Sequence, residues 1–321
     1  MKRFFAISLL VFGSFACENN KVIEPFFSDT ESFQATSKSE FWQAPDVWSA
    51  NGTKSKQDLI QYGRDLIVYT AYYLGPRGRI AQQSNGLNCQ NCHLDAGTKV
   101  FGNNYGSVAS TYPKIRARSG QLEGIEKRIN DCFERSLNGN PLKEDSKEMR
   151  AMVAYMKFLG QNVTKGEKAK GSGFKDLPFL NRAANPEKGK AVYELRCASC
   201  HQSDGHGIVD GIGQSYVYPP LWGPNSFNDA AGLSRISNMA KYVKYNMPFG
   251  VNYDAPELSD EDAWDVAAYV VSQTRPHKAV PQDWPDISKK PIDHPKGPYA
   301  DNFSEFQHKY GPFTAMKKSK K

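Results

Sequence analysis

The sequence predicts a mostly α-helical protein of two repeated domains, with long loops and an extended C-terminal tail. Three observations carry this prediction. The pentad Cys-x-x-Cys-His occurs twice, as Cys89-Gln90-Asn91-Cys92-His93 and Cys197-Ala198-Ser199-Cys200-His201. Each pentad stands between two stretches whose apolar residues recur at helical spacing. Both of the later stretches carry an Ala-Tyr pair, Ala154-Tyr155 and Ala268-Tyr269, on which the halves can be aligned. A length of 321 residues suits two modest domains better than one.

The elements follow in chain order. Lys2 and Arg3 precede an apolar run from Phe4 to Phe12, too short to span a bilayer, and Ser14 and Ala16 lead to Cys17. Residues 1–16 therefore read as an export leader of lipoprotein type. Cys17 would be the first mature residue and a lipid attachment point, with ordinary cleavage after Ala16 as the alternative. Residues 17–54 form a polar, irregular extension. Domain one covers 55–160. Leu59, Gly63, Leu66, Ile67 and Leu74 mark its leading helix, and Ser146 caps a closing helix with the stripe Met149, Met152, Val153 and Met156. The joint, 161–185, holds Gly166, Gly171 and Gly173 among lysines, a composition that predicts flexibility. Domain two covers 186–275. Asn185 caps a helix with Pro186 at its first position, and Ala191, Val192 and Leu195 are predicted to face inward. Ser259 caps the closing helix, Asp260, Glu261 and Asp262 complement its N-terminus, and Ala263, Val266, Ala267, Val270 and Val271 form its buried stripe. Prolines recur through 276–321, which predicts a tail wrapping the body.

The chemistry begins with the pentads. Cys-x-x-Cys-His is the attachment signature of haem c: the two thiols add across the haem vinyl groups and the histidine becomes the proximal iron ligand. Two pentads predict two covalently bound haem c groups, held by Cys89, Cys92 and His93 and by Cys197, Cys200 and His201. The helix–pentad–loop–helix order makes both halves class I cytochrome c-like domains. Met247-Pro248, in the loop before the second closing helix, supplies the distal ligand of haem two; Met239 is a rival without that context. Counting back from the tyrosines, Met247 lies twenty-two residues before Tyr269 and Cys132 twenty-three before Tyr155. Cys132 thus occupies the distal slot of haem one. A small buried core residue is the other meaning of a lone cysteine. Met149, Met152 and Met156 read as helix core, His206 as an exposed turn residue, and His277, His294 and His308 as tail residues without iron.

A thiolate ligand stabilises ferric iron where His/Met ligation favours ferrous iron. Arg116, Arg118, Arg128 and Arg135 flank Cys132 in sequence. Positive neighbours favour a thiolate and attract a small dianion, although such a cluster can also be a solvated basic face. The formal net charge of +7 says little about nucleic acid. Lys2 and Arg3 leave with the leader, and Lys317, Lys318, Lys320 and Lys321 sit at the tail end, so the body is close to neutral. No phosphate loop, nucleotide fingerprint or hydrolase triad is visible. Haem c is attached outside the cytoplasmic membrane, so the leader and the pentads together predict a periplasmic or membrane-anchored protein.

The sequence resembles the dihaem thiosulfate dehydrogenases, or tetrathionate-forming cytochromes, some of which run mainly as tetrathionate reductases. The likeness rests on Asn88 to Leu94, Ala96-Gly97-Thr98-Lys99, Tyr112-Pro113, Arg116-Ala117-Arg118-Ser119-Gly120 and Glu126-Lys127-Arg128-Ile129. It continues through Cys132, Arg135-Ser136-Leu137-Asn138-Gly139, Pro219 to Gly223 and Asn246-Met247-Pro248-Phe249-Gly250. In the tail it includes Gly297 to Asp301 and Gln307 to Phe313. The resemblance implies that two thiosulfate ions couple to tetrathionate at the Cys132-ligated haem. It implies that Arg118 and Arg128 hold the substrate oxyanions with Ser136 nearby, and that Cys132 can carry a transient sulfur adduct. Haem two would pass electrons to a small soluble or membrane-bound redox partner. Some relatives place Lys before the distal Met and exchange the two; Asn246 stands here, so no such exchange is expected. Without the resemblance, the residues also admit a dihaem electron carrier in a respiratory or sulfur-oxidation chain.

Overall fold

One pair of packed helices organises each half of the chain. Lys54–Val68 lies against Lys147–Leu159 in the first, and Pro186–Arg196 against Asp260–Ser272 in the second. The computed structural model describes residues 40–212 and 215–319, so the predicted leader and Cys17 lie outside the described residues. All four helices start on side-chain caps. Thr53 accepts from Lys56 N–H, Ser146 from Met149 N–H, Asn185 from Glu187 and Lys188 N–H, and Ser259 from Asp262 N–H, each satisfying a donor that the first turn leaves unpaired.

A glycine brings the backbones together in both pairs. A Cβ on Gly63 would lie 2.0 Å from the Ala151 carbonyl oxygen, and one on Gly189 would lie 1.8 Å from that of Asp265. Ala151 and Asp265 each stand four residues before the tyrosine of an Ala-Tyr pair, so the repeat extends from sequence to packing. Around these contacts lie two cores. Leu66, Phe133, Met149 and Met152 are fully enclosed in the first, and Tyr193, Ala240, Trp264 and Met316 in the second.

Two features of the helices differ from expectation. The first leading helix stops at Val68 and Leu74 sits on a separate short helix, Thr70–Leu74. Tyr69 leaves helical geometry at φ −118°, ψ 40°, and the Thr70 hydroxyl donates to Leu66 O at 2.7 Å. In the Pro186–Arg196 helix the buried residues are Gly189 and Tyr193, while Ala191 is exposed and Leu195 is 77% exposed. The close approach at Gly189 sets the phase of this helix and turns position 195 outward.

The joint is also more tightly held than its composition predicts. Phe101 and Asn103 N–H donate to Gly171 O and Gly173 O, and Ala169 N–H donates to the Ser107 hydroxyl. The segment is laid along the loop that follows the first pentad. Two short hairpins complete the described residues: Lys114–Ile115 pairs antiparallel with Leu122–Glu123, and Ile208–Val209 with Tyr216–Tyr218. The tail packs on the second half. Asp293 accepts from the Arg235 guanidinium and from Ser237, His308 is buried between Ile292 O and Asp301, and Phe313 and Met316 enter the second core. Among the described residues no helix is long and apolar enough to cross a membrane.

The glycine contacts generate a stability prediction. Gly63→Ala is expected to destabilise the holoprotein by about 1–3 kcal/mol, the usual cost of overpacking, in guanidinium unfolding. Gly232→Ala, where a Cβ meets only Asn238 Nδ2 at 3.9 Å, should stay within about 0.5 kcal/mol of the parent.

Candidate functional site

The first pentad is held by side chains that lie outside it. Cys89 N–H donates to the Thr70 hydroxyl at 3.0 Å, Asn88 N–H to Asn91 Oδ1 at 2.7 Å, and Ala71 N–H to Asn88 Oδ1 at 2.8 Å. Thr70, which interrupts the leading helix, thereby ties the helix end to the first thiol. His93 stands 2.6 Å from Asn103 O through Nδ1 and stacks on Tyr105 with ring centroids 4.5 Å apart. A carbonyl partner puts the proton on Nδ1 and leaves Nε2 as the metal-binding nitrogen. Gly97, at φ 82°, lets the Tyr105 ring approach: a Cβ there would lie 2.1 Å from it. Tyr105, Asn103 and Thr70 carried no periodic or motif signal in the sequence.

His93, Cys89 and Cys92 face a cleft of about 900 Å³, counting the space at its mouth, which Cys132, Arg128 and Ser136 also line. Its remaining wall is largely apolar and includes Leu87, Phe133, Met152 and Met156. The two methionines are therefore core and cleft wall at once. Burial pushes the Cys89 and Cys92 thiols up to about 12, keeping them protonated. Two neutral thiols, an imidazole held through Nδ1, a further sulfur beside that imidazole and apolar walls are a donor set that fits a covalently attached haem.

Cys132 lies on the Ile125–Arg135 helix, one turn after Arg128, whose Nη1 donates to Sγ at 3.1 Å. Burial works against ionisation of Cys132, yet Arg128 and then His93 outweigh it and hold the thiol down at about 7. In return the neighbouring sulfur raises the pKa of Arg128. Ser136 caps the C-terminal end of the same helix.

The four arginines are committed differently. Arg128 serves Cys132. Arg116 donates to the Tyr112 hydroxyl at 2.7 Å and faces Glu123 at 3.9 Å. Arg135 is buried and binds Asp283 with both Nη atoms, at 2.7 and 2.8 Å. Arg118 does not line the cleft. Its side chain is 16% exposed, and burial, followed by the like charges of Arg135 and Arg128, lowers its pKa to about 10. The structure therefore brings Cys132, Arg128, Ser136 and His93 to one cleft and leaves Arg118 beside it. Asp283 and Trp284, which reach these arginines from the Pro-rich tail, were not visible as site residues in the sequence.

The second pentad repeats the plan. His201 stands 2.8 Å from Pro219 O through Nδ1, and burial lowers its pKa, favouring the neutral imidazole that binds metal. The Pro219 to Gly223 motif thus orients the proximal histidine. Trp222 packs on Gly205 (φ 67°), where a Cβ would lie 2.1 Å from the indole. Cys197 is pushed up to about 11 by burial. Met247 follows the Ile236–Asn246 helix, while its rival Met239 is 2% exposed within the second core and His206 is exposed. Asn246 is 1% exposed, and its Nδ2 donates to Tyr242 O at 3.2 Å and to Phe101 O at 3.3 Å. Tyr242, on the same helix, donates its hydroxyl to Asn91 O inside the first pentad at 2.7 Å.

Replacing Cys197 and Cys200 together with alanine is expected to halve the covalent haem per chain, read from pyridine haemochrome absorbance against protein concentration. An unchanged ratio contradicts the attachment assignment.

Residues 79–164 match the SoxA/TsdA cytochrome c domain and residues 186–274 the cytochrome c domain. Thiosulfate dehydrogenase of Allochromatium vinosum is 42% identical over 196 residues, covering 60% of this chain and 71% of the relative. That of Stutzerimonas stutzeri is 37% identical over 223 residues, covering 68% of each. The solved thiosulfate dehydrogenase TsdBA of Marichromatium purpuratum, in its as-isolated form, superposes with a TM-score of 0.67 at 28% identity. That match covers 74% of this chain and 50% of the other, so the chain spans half the length of this solved relative. A half-buried cysteine between an arginine and a pentad histidine, repeated pentads and these matches agree: the chain belongs to the thiosulfate dehydrogenase family and carries two covalently bound haem c groups.

Proposed function

We propose that this protein oxidises thiosulfate to tetrathionate at the cleft around Cys132. The observation that carries the reading is the sulfur of Cys132, 3.1 Å from Arg128 Nη1 and in the same cleft as His93. A carrier that only relays electrons has no use for an ionisable sulfur beside a half-buried cation at its metal site.

In this reading Cys132 with His93, and Met247 with His201, would hold the two haem irons. The haem groups, when bound, supply one-electron acceptors for the two electrons released. Cys132 thiolate and the terminal sulfur of one thiosulfate form an S–S bond with loss of two electrons, leaving a cysteine S-thiosulfonate. A second thiosulfate attacks the sulfane sulfur of that adduct. The S–S bond of tetrathionate forms, the bond to Cys132 breaks, and the cysteine leaves as thiolate. Two dianions must approach one another for this, and fixed cations offset their repulsion. Arg128 and Arg118 supply the charge and charge-assisted hydrogen bonds to the sulfonate oxygens, and the Ser136 hydroxyl adds a neutral donor.

The same residues serve the reverse reaction, tetrathionate reduction. In the oxidative direction haem two would pass electrons to a small soluble or membrane-bound redox protein such as a cytochrome c. The leader of residues 1–16 would place the protein in the periplasm, and a lipidated Cys17 would fix it to the membrane surface.

Cys132→Ala is expected to lower thiosulfate-dependent ferricyanide reduction by at least about a hundredfold, the scale on which loss of a single catalytic group is felt. It should keep both haems and lose the low-spin thiolate signal of the ferric protein. Full turnover in the variant, or a wild type inert towards both thiosulfate and tetrathionate, returns the protein to the electron-carrier class.

A further inference from the structure

The tail between Arg275 and Asp293 is a strap anchored in the second half at both ends. Arg275 donates to Leu221 O at 3.1 Å and lies over the Phe227 ring at 4.3 Å. Asp293 accepts from Arg235 Nε at 2.9 Å and Ser237 N at 3.2 Å. Between these anchors the strap crosses to the arginines of the first half. Trp284 N–H donates to Arg118 O at 2.6 Å. Pro285 Cγ lies 2.9 Å from where a Cβ would stand on Gly120, whose φ is 70°. Trp284 itself holds φ 64°, a conformation rare for an aromatic residue and one that marks functional segments.

The strap delivers one carboxylate to two cations. Asp283 gives both oxygens to Arg135, at 2.7 and 2.8 Å, while its Oδ2 stays 3.8 Å from Arg118 Nε. A bidentate fork of this kind satisfies both partners. Arg118 remains over the Trp284 indole, 5.8 Å from the ring centroid, and its guanidinium donates no hydrogen bond to a described residue. A largely buried guanidinium with unspent donors draws in an anion, because desolvated donors without acceptors are costly. The nearest carboxylate, Asp283, pairs with Arg118 only at 3.8 Å, outside hydrogen-bond distance, while both of its oxygens are engaged by Arg135.

We propose that Arg135 is a positioning residue for substrate binding: it sequesters Asp283, which otherwise competes with the substrate oxyanion for Arg118. Asp283 is then an internal competitor held in check, and substitution at Arg135 inhibits the enzyme through its own tail. The identity of the anion as thiosulfate rests on the proposed function; the competition between Asp283 and an external dianion does not.

The test uses the holoprotein with two readouts: calorimetric binding of sulfate, a redox-inert tetrahedral dianion, and steady-state thiosulfate oxidation with ferricyanide. Arg135→Gln is expected to raise the sulfate Kd and the thiosulfate KM by about tenfold, the scale of one charge-assisted hydrogen bond, with kcat within about twofold. Adding Asp283→Asn to that variant should bring both back to within about threefold of wild type, a non-additive rescue. Asp283→Asn alone should leave sulfate binding as tight as in wild type or tighter, and this variant tests the inference even if Arg135→Gln fails to fold. The inference is overturned if the double variant stays as weak as Arg135→Gln, or if Asp283→Asn alone weakens sulfate binding tenfold. If the sulfate pattern appears while wild type oxidises no thiosulfate, the functional reading fails and the competition stands.

Discussion

Backbone contact at Gly63 and Gly189 is the constraint on which both halves rest. With no side chain at these positions, the leading helix of each half meets the carbonyl of Ala151 or Asp265 directly. That contact fixes the phase of the leading helix. In the second half the helix runs straight into Cys197. In the first half it breaks at Tyr69, and Thr70 hands its position on to Cys89 through one hydrogen bond. The closing helix of the first half, held in the same embrace, turns Met152 and Met156 to the cleft. The positions of the attachment thiols and of the cleft wall thus descend from two missing side chains.

Charge does the rest of the positioning. Four arginines crowd near one half-buried sulfur, and unpaired they would repel one another. Each has a different means of coexisting with the others. Arg128 pairs with Cys132, Arg116 with Tyr112 and Glu123, and Arg135 with Asp283. Arg118 rests on a ring face and on a carboxylate, 3.8 Å away, that it shares with Arg135. In the second half His201 is oriented by a carbonyl and Met247 stands at a helix end. The asymmetry separates a half suited to chemistry on anions from one suited to electron relay.

Much of this was legible in the sequence because it rests on local rules. The pentads and the caps at Ser146, Asn185 and Ser259 follow from short-range spacing. What was not legible depends on contacts distant along the chain. Leu195 fits an inward helical stripe, yet the phase of that helix is set by Gly189 against a residue seventy-six positions away. The glycines of the joint suggested looseness, whereas carbonyls at 171 and 173 meet donors at 101 and 103. Asp283 lies in a Pro-rich tail, 148 residues from Arg135, and no periodicity connects the two. Arg118 stands among the arginines in sequence, but its place beside the cleft and not in its wall is a tertiary fact.

The Ile236–Asn246 helix touches the first pentad through Tyr242 and ends at Met247, while Asn246 reaches back to Phe101. Tyr242 and Met247 are separated by five residues of helix, roughly 8 Å, so a stiff rod ties the second half to the first pentad. Tunnelling rates fall steeply with distance, and a rod of this kind shields them from any breathing between the halves. The two irons would then act as terminals of a single conductor whose resistance is built in when the chain folds.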